Sequence, residues 1–371
     1  MLMKTSILAF ILFGIGIFGC TKNKTAEQSL SFYMAVTPWP GDFTQASVDD
    51  AYNFINQHCD MVSHHFDEGI PYEEAYKNLP WPQQLQNDVS YRKTKTLGKT
   101  VFLSVAALNL SRHEKADYYS HSDNISDSIK NYWKQRSVND DKVITAYVNY
   151  ISYLINQLQP QFVNYGVESN DVHWNNDQFL LYKDFLSKVF AQLKIKYPQL
   201  PFFISFMVNE EPLALPLASQ LLPYTDCVSL SAYPYTSAST TADGNTDPKK
   251  FPANYFTRFL DLAPSKPWGF AETGYIAQDL LVPSYSLNKH GTAEWQKDYL
   301  ELVCQLCNSR KARFLVWFCS ADYDAGNNRL KSLGSYNDLF ALWQDIGLKD
   351  ENNIERRAYQ SWLQWMSKKR N

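Results

Sequence analysis

Net charge of either sign is nearly absent from this sequence. Its 35 Lys and Arg against 38 Asp and Glu leave a formal charge of −3 across 371 residues. Nucleic-acid binding normally needs a strongly basic face, so that class of partner is excluded. The Gly-rich phosphate turn of a dinucleotide-binding fold is missing after the first strand-like segment. No G-x-S-x-G elbow appears either, which argues against a Ser-His-Asp hydrolase. Cysteine is sparse, and the lone C-x-x-C of Cys304 and Cys307 has no further ligands at metal-binding spacing, so both are read as small core residues on one helix face. His64 and His65 with Asp67 and Glu68 lack a spaced third ligand in the same way. No metal and no cofactor are expected, and no internal repeat or second domain is apparent.

What the chain does have is aromatic surface. Aromatics make up 15% of it, with Trp 10, Tyr 24 and Phe 22. Their faces serve packing first, but they also suit the apolar faces of sugar rings. At the N-terminus, Lys4 precedes an apolar or Gly run over 7–18, too short to span a membrane comfortably and of the right length for a signal-peptide core. It runs into Ile17-Phe18-Gly19-Cys20, which resembles a bacterial lipobox, although Phe18 is bulkier than usual there. The expectation is a signal peptide over 1–19, lipidation at Cys20, a polar tether over 20–30 and a body over 31–371. A protein so built sits in the bacterial cell envelope, held to the membrane by its lipid.

Beyond the tether, strand-like and helix-like segments alternate. Short runs rich in Val, Ile, Phe and Leu predict strands over 32–37, 60–65, 100–106, 162–168, 202–208, 227–233, 268–272 and 314–319. Amphipathic spacing predicts helices over 47–57, 142–158, 178–196, 293–307, 337–346 and 354–368, with Asp140 and Asp141 placed to cap the second. Eight strands with helical crossovers make an α/β fold, a (β/α)8 TIM barrel. Two polar intervals, 107–140 after the third strand and 236–250 after the sixth, then belong to the C-terminal face, where loops build sites.

Strand C-termini converge at that face. The fourth segment ends on Glu168 and the seventh on Glu272, in Lys266-Pro267-Trp268-Gly269-Phe270-Ala271-Glu272-Thr273-Gly274-Tyr275. Two carboxylates about 5 to 5.5 Å apart across a barrel mouth can hydrolyse a glycosidic bond with retention, one as acid and one as nucleophile. Their environments must separate them, since the acid needs its proton and the nucleophile must be ionised.

A Glu on the fourth strand with a Glu on the seventh resembles the clan of retaining TIM-barrel glycosidases. Within it, Ser229-Leu230-Ser231-Ala232-Tyr233-Pro234-Tyr235 and Glu272-Thr273-Gly274-Tyr275 resemble segments of the arabinogalactan endo-β-1,4-galactanases. The resemblance implies Glu168 as acid/base, Glu272 as nucleophile, Tyr233 as a hydrogen-bond partner of Glu272 and Trp317 as a floor under the sugar. One position departs: the clan has Asn before the acid/base, to contact the sugar 2-hydroxyl, and here that residue is Val167. Asn170 could supply an amide instead. Asn209-Glu210 at the end of the fifth segment offers a rival acid/base if the strand count slips by one. His64, His65, Trp39 and Trp174 are further candidates for contacting sugar, and Asp322 and Asp324 for substrate contact or turn capping. The chain therefore reads as a retaining β-glycosidase, with a non-catalytic carbohydrate-binding protein on the same barrel as the alternative.

Overall fold

The computed structural model describes residues 29–122 and 124–370. The signal peptide, Cys20 and most of the tether lie outside the described residues. Eight parallel strands close into a barrel: β1 (Tyr33–Val36), β2 (Met61–Phe66), β3 (Thr100–Val105), β4 (Phe162–Gly166), β5 (Phe202–Met207), β6 (Val228–Ala232), β7 (Trp268–Thr273) and β8 (Phe314–Trp317). Each pairs with its sequence neighbours, and β8 closes on β1 through Val36 and Trp317. All eight match the segments expected from sequence, within a few residues at their ends. The (β/α)8 barrel is thus the fold of this chain.

The crossover helices follow the same logic. The helix Asp141–Leu158 starts where Asp140 accepts the Lys142 N–H at 2.8 Å, and it buries Val143, Ile144, Tyr147, Ile151, Leu154 and Leu158 against the strands. Cys304 and Cys307 lie buried in the helix Ala293–Ser309, and with Cys59, Cys227 and Cys319 they are free thiols in the core. Two expectations differ. Residues 337–346 form 3-10 turns over Asp338–Trp343 rather than an amphipathic α-helix. Leu30, placed by sequence at the end of the tether, is buried, and its N–H donates to the Lys369 carbonyl at 2.7 Å. Among the described residues no helix is long and apolar enough to cross a membrane.

Strand alternation decides what reaches the site. The barrel interior is packed by Ala35, Met61, Phe102, Phe162, Phe203, Cys227, Ala271, Phe314 and Val316. Because successive side chains face opposite ways, the inward stripe of β6 continues from Cys227 through Ser229 and Ser231 to Tyr233, and that of β8 from Phe314 through Val316 to Phe318. Above the apolar layer the interior turns polar. Asn164 on β4 donates its amide to Ser104 Oγ on β3 at 3.3 Å and to Ser205 Oγ on β5 at 3.1 Å.

Glu272 would point outward under strict alternation, since Ala271 beside it is interior. A bulge between β6 and β7 corrects this: Leu230 pairs with Phe270 and Ser231 with Glu272, leaving Ala271 as the extra residue. Glu272 then faces the mouth. Thr273 faces the helices, with its hydroxyl 2.6 Å from the Tyr299 phenol.

The packing at β7 leaves no room beside it. A Cβ on Gly269 would stand 2.6 Å from the Phe314 ring and 2.7 Å from the Phe314 carbonyl oxygen. Gly269→Ala is therefore expected to lower stability by roughly 1–3 kcal/mol through overpacking, read as a lower urea midpoint with an unchanged slope. An unchanged midpoint would contradict this packing of the interior.

Candidate active site

The C-terminal mouth of the barrel opens into a cavity of about 410 Å³. Glu168, Glu272, Tyr233 and Ser231 line its floor, with His65, Asp67, Arg112 and Asn209 around them. The opposite wall is aromatic. Trp39 and Phe318 lie 5.8 Å apart between ring centroids, Phe318 and Trp343 6.4 Å, and Trp343 and Tyr233 5.8 Å. A ring with hydroxyls at its rim and C–H groups on its faces fits between such walls.

Each carboxylate is held differently. Glu272 accepts one hydrogen bond, from the Tyr233 phenol at 2.6 Å. Burial comes first, and the facing Glu168 carboxylate second, in pushing its carboxyl up to about 7, against the pull of Tyr233 and Arg112. Burial and the Glu272 charge in turn raise the Tyr233 phenol, which so remains a donor. Glu168 accepts two bonds: Arg112 Nε donates to Oε2 at 2.8 Å and Ser231 Oγ to Oε1 at 2.7 Å. Its backbone is left-handed at φ 50°, beyond a bulge of β4 against β5. A non-glycine residue there carries about 1–2 kcal/mol of strain. The Glu168 N–H bond to Ser205 Oγ at 2.9 Å and that of Ser169 to the Ser205 carbonyl at 3.0 Å fix the turn. Strain of this kind collects at functional sites.

The structure brings Glu168, Glu272, Tyr233, His65 and Trp39 into one cavity. His65 Nε2 and Trp39 Nε1 are buried there without hydrogen-bond partners, and burial lowers the His65 imidazole below its usual range. The other sequence candidates lie elsewhere. His64 faces outward, as alternation along β2 requires, with Nε2 3.2 Å from Thr96 Oγ1. Trp317 faces the helices, fully buried, and its indole donates to the Ile346 carbonyl at 2.9 Å, so it is no sugar floor; its neighbour Phe318 takes the inward place. The Asn170 amide is consumed by the Met207 and Ala214 carbonyls at 3.1 and 3.2 Å, while its oxygen accepts the Met207 N–H at 2.7 Å. It has nothing left for a sugar. Trp174 stacks on Tyr182 and donates to the Ser169 carbonyl, outside the cavity lining. Glu210, the rival acid, accepts the Ser239 N–H and does not line the cavity.

Sequence reasoning missed Arg112, Phe318 and Trp343 as lining residues. Alternation from Phe314 would have found Phe318. Arg112 stands on a loop, where no period applies, and Trp343 ends the 3-10 segment Asp338–Trp343, to which an α-helical period does not apply. Among the described residues one group, Asp322, Asp324 and Asp345, has carboxylate oxygens within 4.8 Å of one another. Asp322 is already paired with Arg356 and with the Gly347 N–H, so this cluster reads as a fastening of the loop after β8.

No protein-family model matches the chain, and no curated protein matches it. Solved structures do share its fold. A GH5_18 protein from Streptomyces cattleya in complex with Manβ1-4GlcNAc aligns with TM-score 0.58 at 14% identity, covering 90% of this chain and 80% of that one. An exo-β-1,4-mannosidase from Opitutaceae bacterium strain TAV5 gives 0.57 at 12%, covering 92% and 61%. Xylanase 10B from Thermotoga maritima gives 0.57 at 10%, covering 92% and 97%. At these identities the likeness is one of fold, the (β/α)8 barrel.

A raised carboxyl is a stability statement. The Glu272 proton is bound more tightly in the folded chain than in the unfolded one, where the group titrates near 4.5. The stability this contributes is complete below pH 4.5 and is lost as pH rises to about 7. Glu272→Gln, which cannot ionise, is expected to be more stable than the parent at pH 8, by on the order of 2–3 kcal/mol. The gain should shrink toward zero at pH 5 in thermal unfolding; a pH-independent difference would contradict the raised carboxyl.

Proposed function

We propose that this chain is a retaining glycoside hydrolase that cleaves β-linked oligosaccharides or polysaccharides with Glu168 and Glu272, anchored to the cell envelope through lipidated Cys20. The observation that carries the reading is the pair of glutamates at the ends of β4 and β7, facing each other over an aromatic-walled cavity. Glu272, oriented by the Tyr233 phenol, attacks the anomeric carbon, and Glu168 protonates the departing oxygen and then activates water. Tyr233 donates to the attacking carboxylate and keeps one oxygen aimed. Trp39 Nε1, buried without a hydrogen-bond partner, and His65 Nε2, 3.5 Å from the Asp67 carboxylate, offer polar groups to sugar hydroxyls, and Trp39, Phe318 and Trp343 present apolar faces. The Manβ1-4GlcNAc complex and the exo-β-1,4-mannosidase among the similar structures make β-1,4-mannosides the first substrates to try, and the motifs around Ser231 and Glu272 add galactans.

A second reading has its own support. Val167 stands where the clan has its amide, and an arginine occupies Glu168, both of which suit a chain that binds glycans without cleaving them.

Activity separates the two. Glu272→Gln is expected to cut hydrolysis of an activated aryl β-glycoside by at least about a thousandfold while oligosaccharide binding, by calorimetry, persists. Wild type that binds glycans yet releases no aglycone from a panel of β-mannosides, galactosides, glucosides and xylosides would establish the binding protein.

A further inference from the structure

The residues 108–115 form a small hairpin hung over the end of β4. Its base is tied down: Leu108 bridges Lys115, and Lys115 Nζ donates to the Trp133 and Arg136 carbonyls at 2.5 and 2.7 Å. Its tip carries Arg112, in left-handed backbone at φ 62°, and the Arg112 side chain reaches the barrel at Glu168 Oε2. The neighbouring His113 ring stays 4.0 Å from Asp171. Arg112 is therefore not part of the barrel wall but is delivered to the acid from outside.

Its effect follows from counting donors. Glu168 accepts from Arg112 Nε on one oxygen and from Ser231 Oγ on the other. An ionised carboxylate takes both. A protonated one can still be met by the Ser231 hydroxyl, which turns to accept its O–H, but it loses the charge assistance of the Arg112 bond, since a guanidinium only donates and always carries its charge. Glu272 has only the Tyr233 donor, so its second oxygen can keep a proton without displacing anything. The free site thus favours keeping a proton on Glu272, whereas retaining hydrolysis needs that residue ionised.

The geometry points to Arg112 as the positioning residue that decides which of the two carboxylates carries the catalytic proton. This rests on the glycosidase reading. When a glycan enters and draws the guanidinium off Glu168 Oε2, the proton passes from Glu272 to that vacated oxygen. One O–H bond breaks and one forms; Glu272 becomes the ionised nucleophile and Glu168 the acid, with no net charge change. Asp67, whose charge already acts on Arg112 together with those of Glu168 and Glu272, is available to receive the guanidinium. The other titratable groups facing Glu168 are His65 from β2, Tyr233 from beyond β6 and Glu272 from β7.

The test compares wild type, Arg112→Gln and Arg112→Lys on two aryl glycosides of the sugar that wild type cleaves best. A p-nitrophenyl leaving group needs acid assistance, whereas 2,4-dinitrophenyl does not. Loss of the guanidinium favours the protonated form of both carboxyls, so in Arg112→Gln both limbs of the kcat/KM profile for the p-nitrophenyl substrate should move up, by about one pH unit or more. The alkaline limb should be missing for the dinitrophenyl substrate in every variant, and Arg112→Lys should return the profile most of the way. Superimposed profiles for wild type and Arg112→Gln would overturn the proposal, as would a uniform loss of rate with unmoved limbs. Should wild type cleave nothing, the glycosidase reading fails on its own, and carboxyl-13C titration of Glu168 and Glu272, assigned with the Gln variants, still decides the role of Arg112. Unmoved midpoints in Arg112→Gln would sink it, and a rise at Glu168 would uphold it.

Discussion

Two glutamates and one arginine share the floor of a closed barrel mouth, and everything else about the site answers to that crowding. Two like charges placed together in a water-poor site cannot both stay ionised without help. Burial and the charge opposite put the strain on Glu272, and the single Tyr233 phenol relieves it only in part. Arg112 sits on the other member of the pair. The arrangement thus makes the two carboxylates chemically unequal, which an acid–nucleophile division of labour would need.

The barrel delivers these groups through departures from regularity rather than through regularity itself. A bulge in β7 turns Glu272 from the helix layer to the mouth. A bulge in β4 and a left-handed Glu168 set the opposing carboxylate, held by the Ser205 hydroxyl, which also belongs to the polar layer with Asn164 and Ser104. The serines of β5 and β6 are therefore not filler. Ser205 and Ser231 bind the backbone and side chain of Glu168, so the interior layer beneath the site is what sets its angle.

Much of this was legible in the sequence. Eight short apolar runs separated by amphipathic stretches gave the barrel, and acids at the ends of the fourth and seventh runs gave the pair. The failures have physical causes. His64 and His65 share one chemistry and the resemblance points to Trp317, but alternation from Met61 and Phe314 sends His64 and Trp317 outward and selects His65 and Phe318. Asn170 has the right amide, but a strand end has carbonyls of its own to satisfy, and they took it. Alternation also fails where it would matter most: it turns Glu272 away, and only the bulge, which no periodicity reveals, turns it back. Arg112 comes from a loop and Trp343 from the end of a 3-10 segment, and their approach to the mouth depends on tertiary packing, for Arg112 the Lys115 anchor.

On the proposed mechanism Glu272 becomes covalently attached to sugar during turnover. A 2-deoxy-2-fluoro glycoside with a dinitrophenyl or fluoride leaving group, of the sugar that wild type cleaves, slows release of such an intermediate enough to weigh it. Intact-mass spectrometry is expected to show one added fluorosugar, and peptide mapping to place it on the peptide containing Glu272. Turnover of the parent substrate with no adduct, or a label on any other residue, would contradict the account.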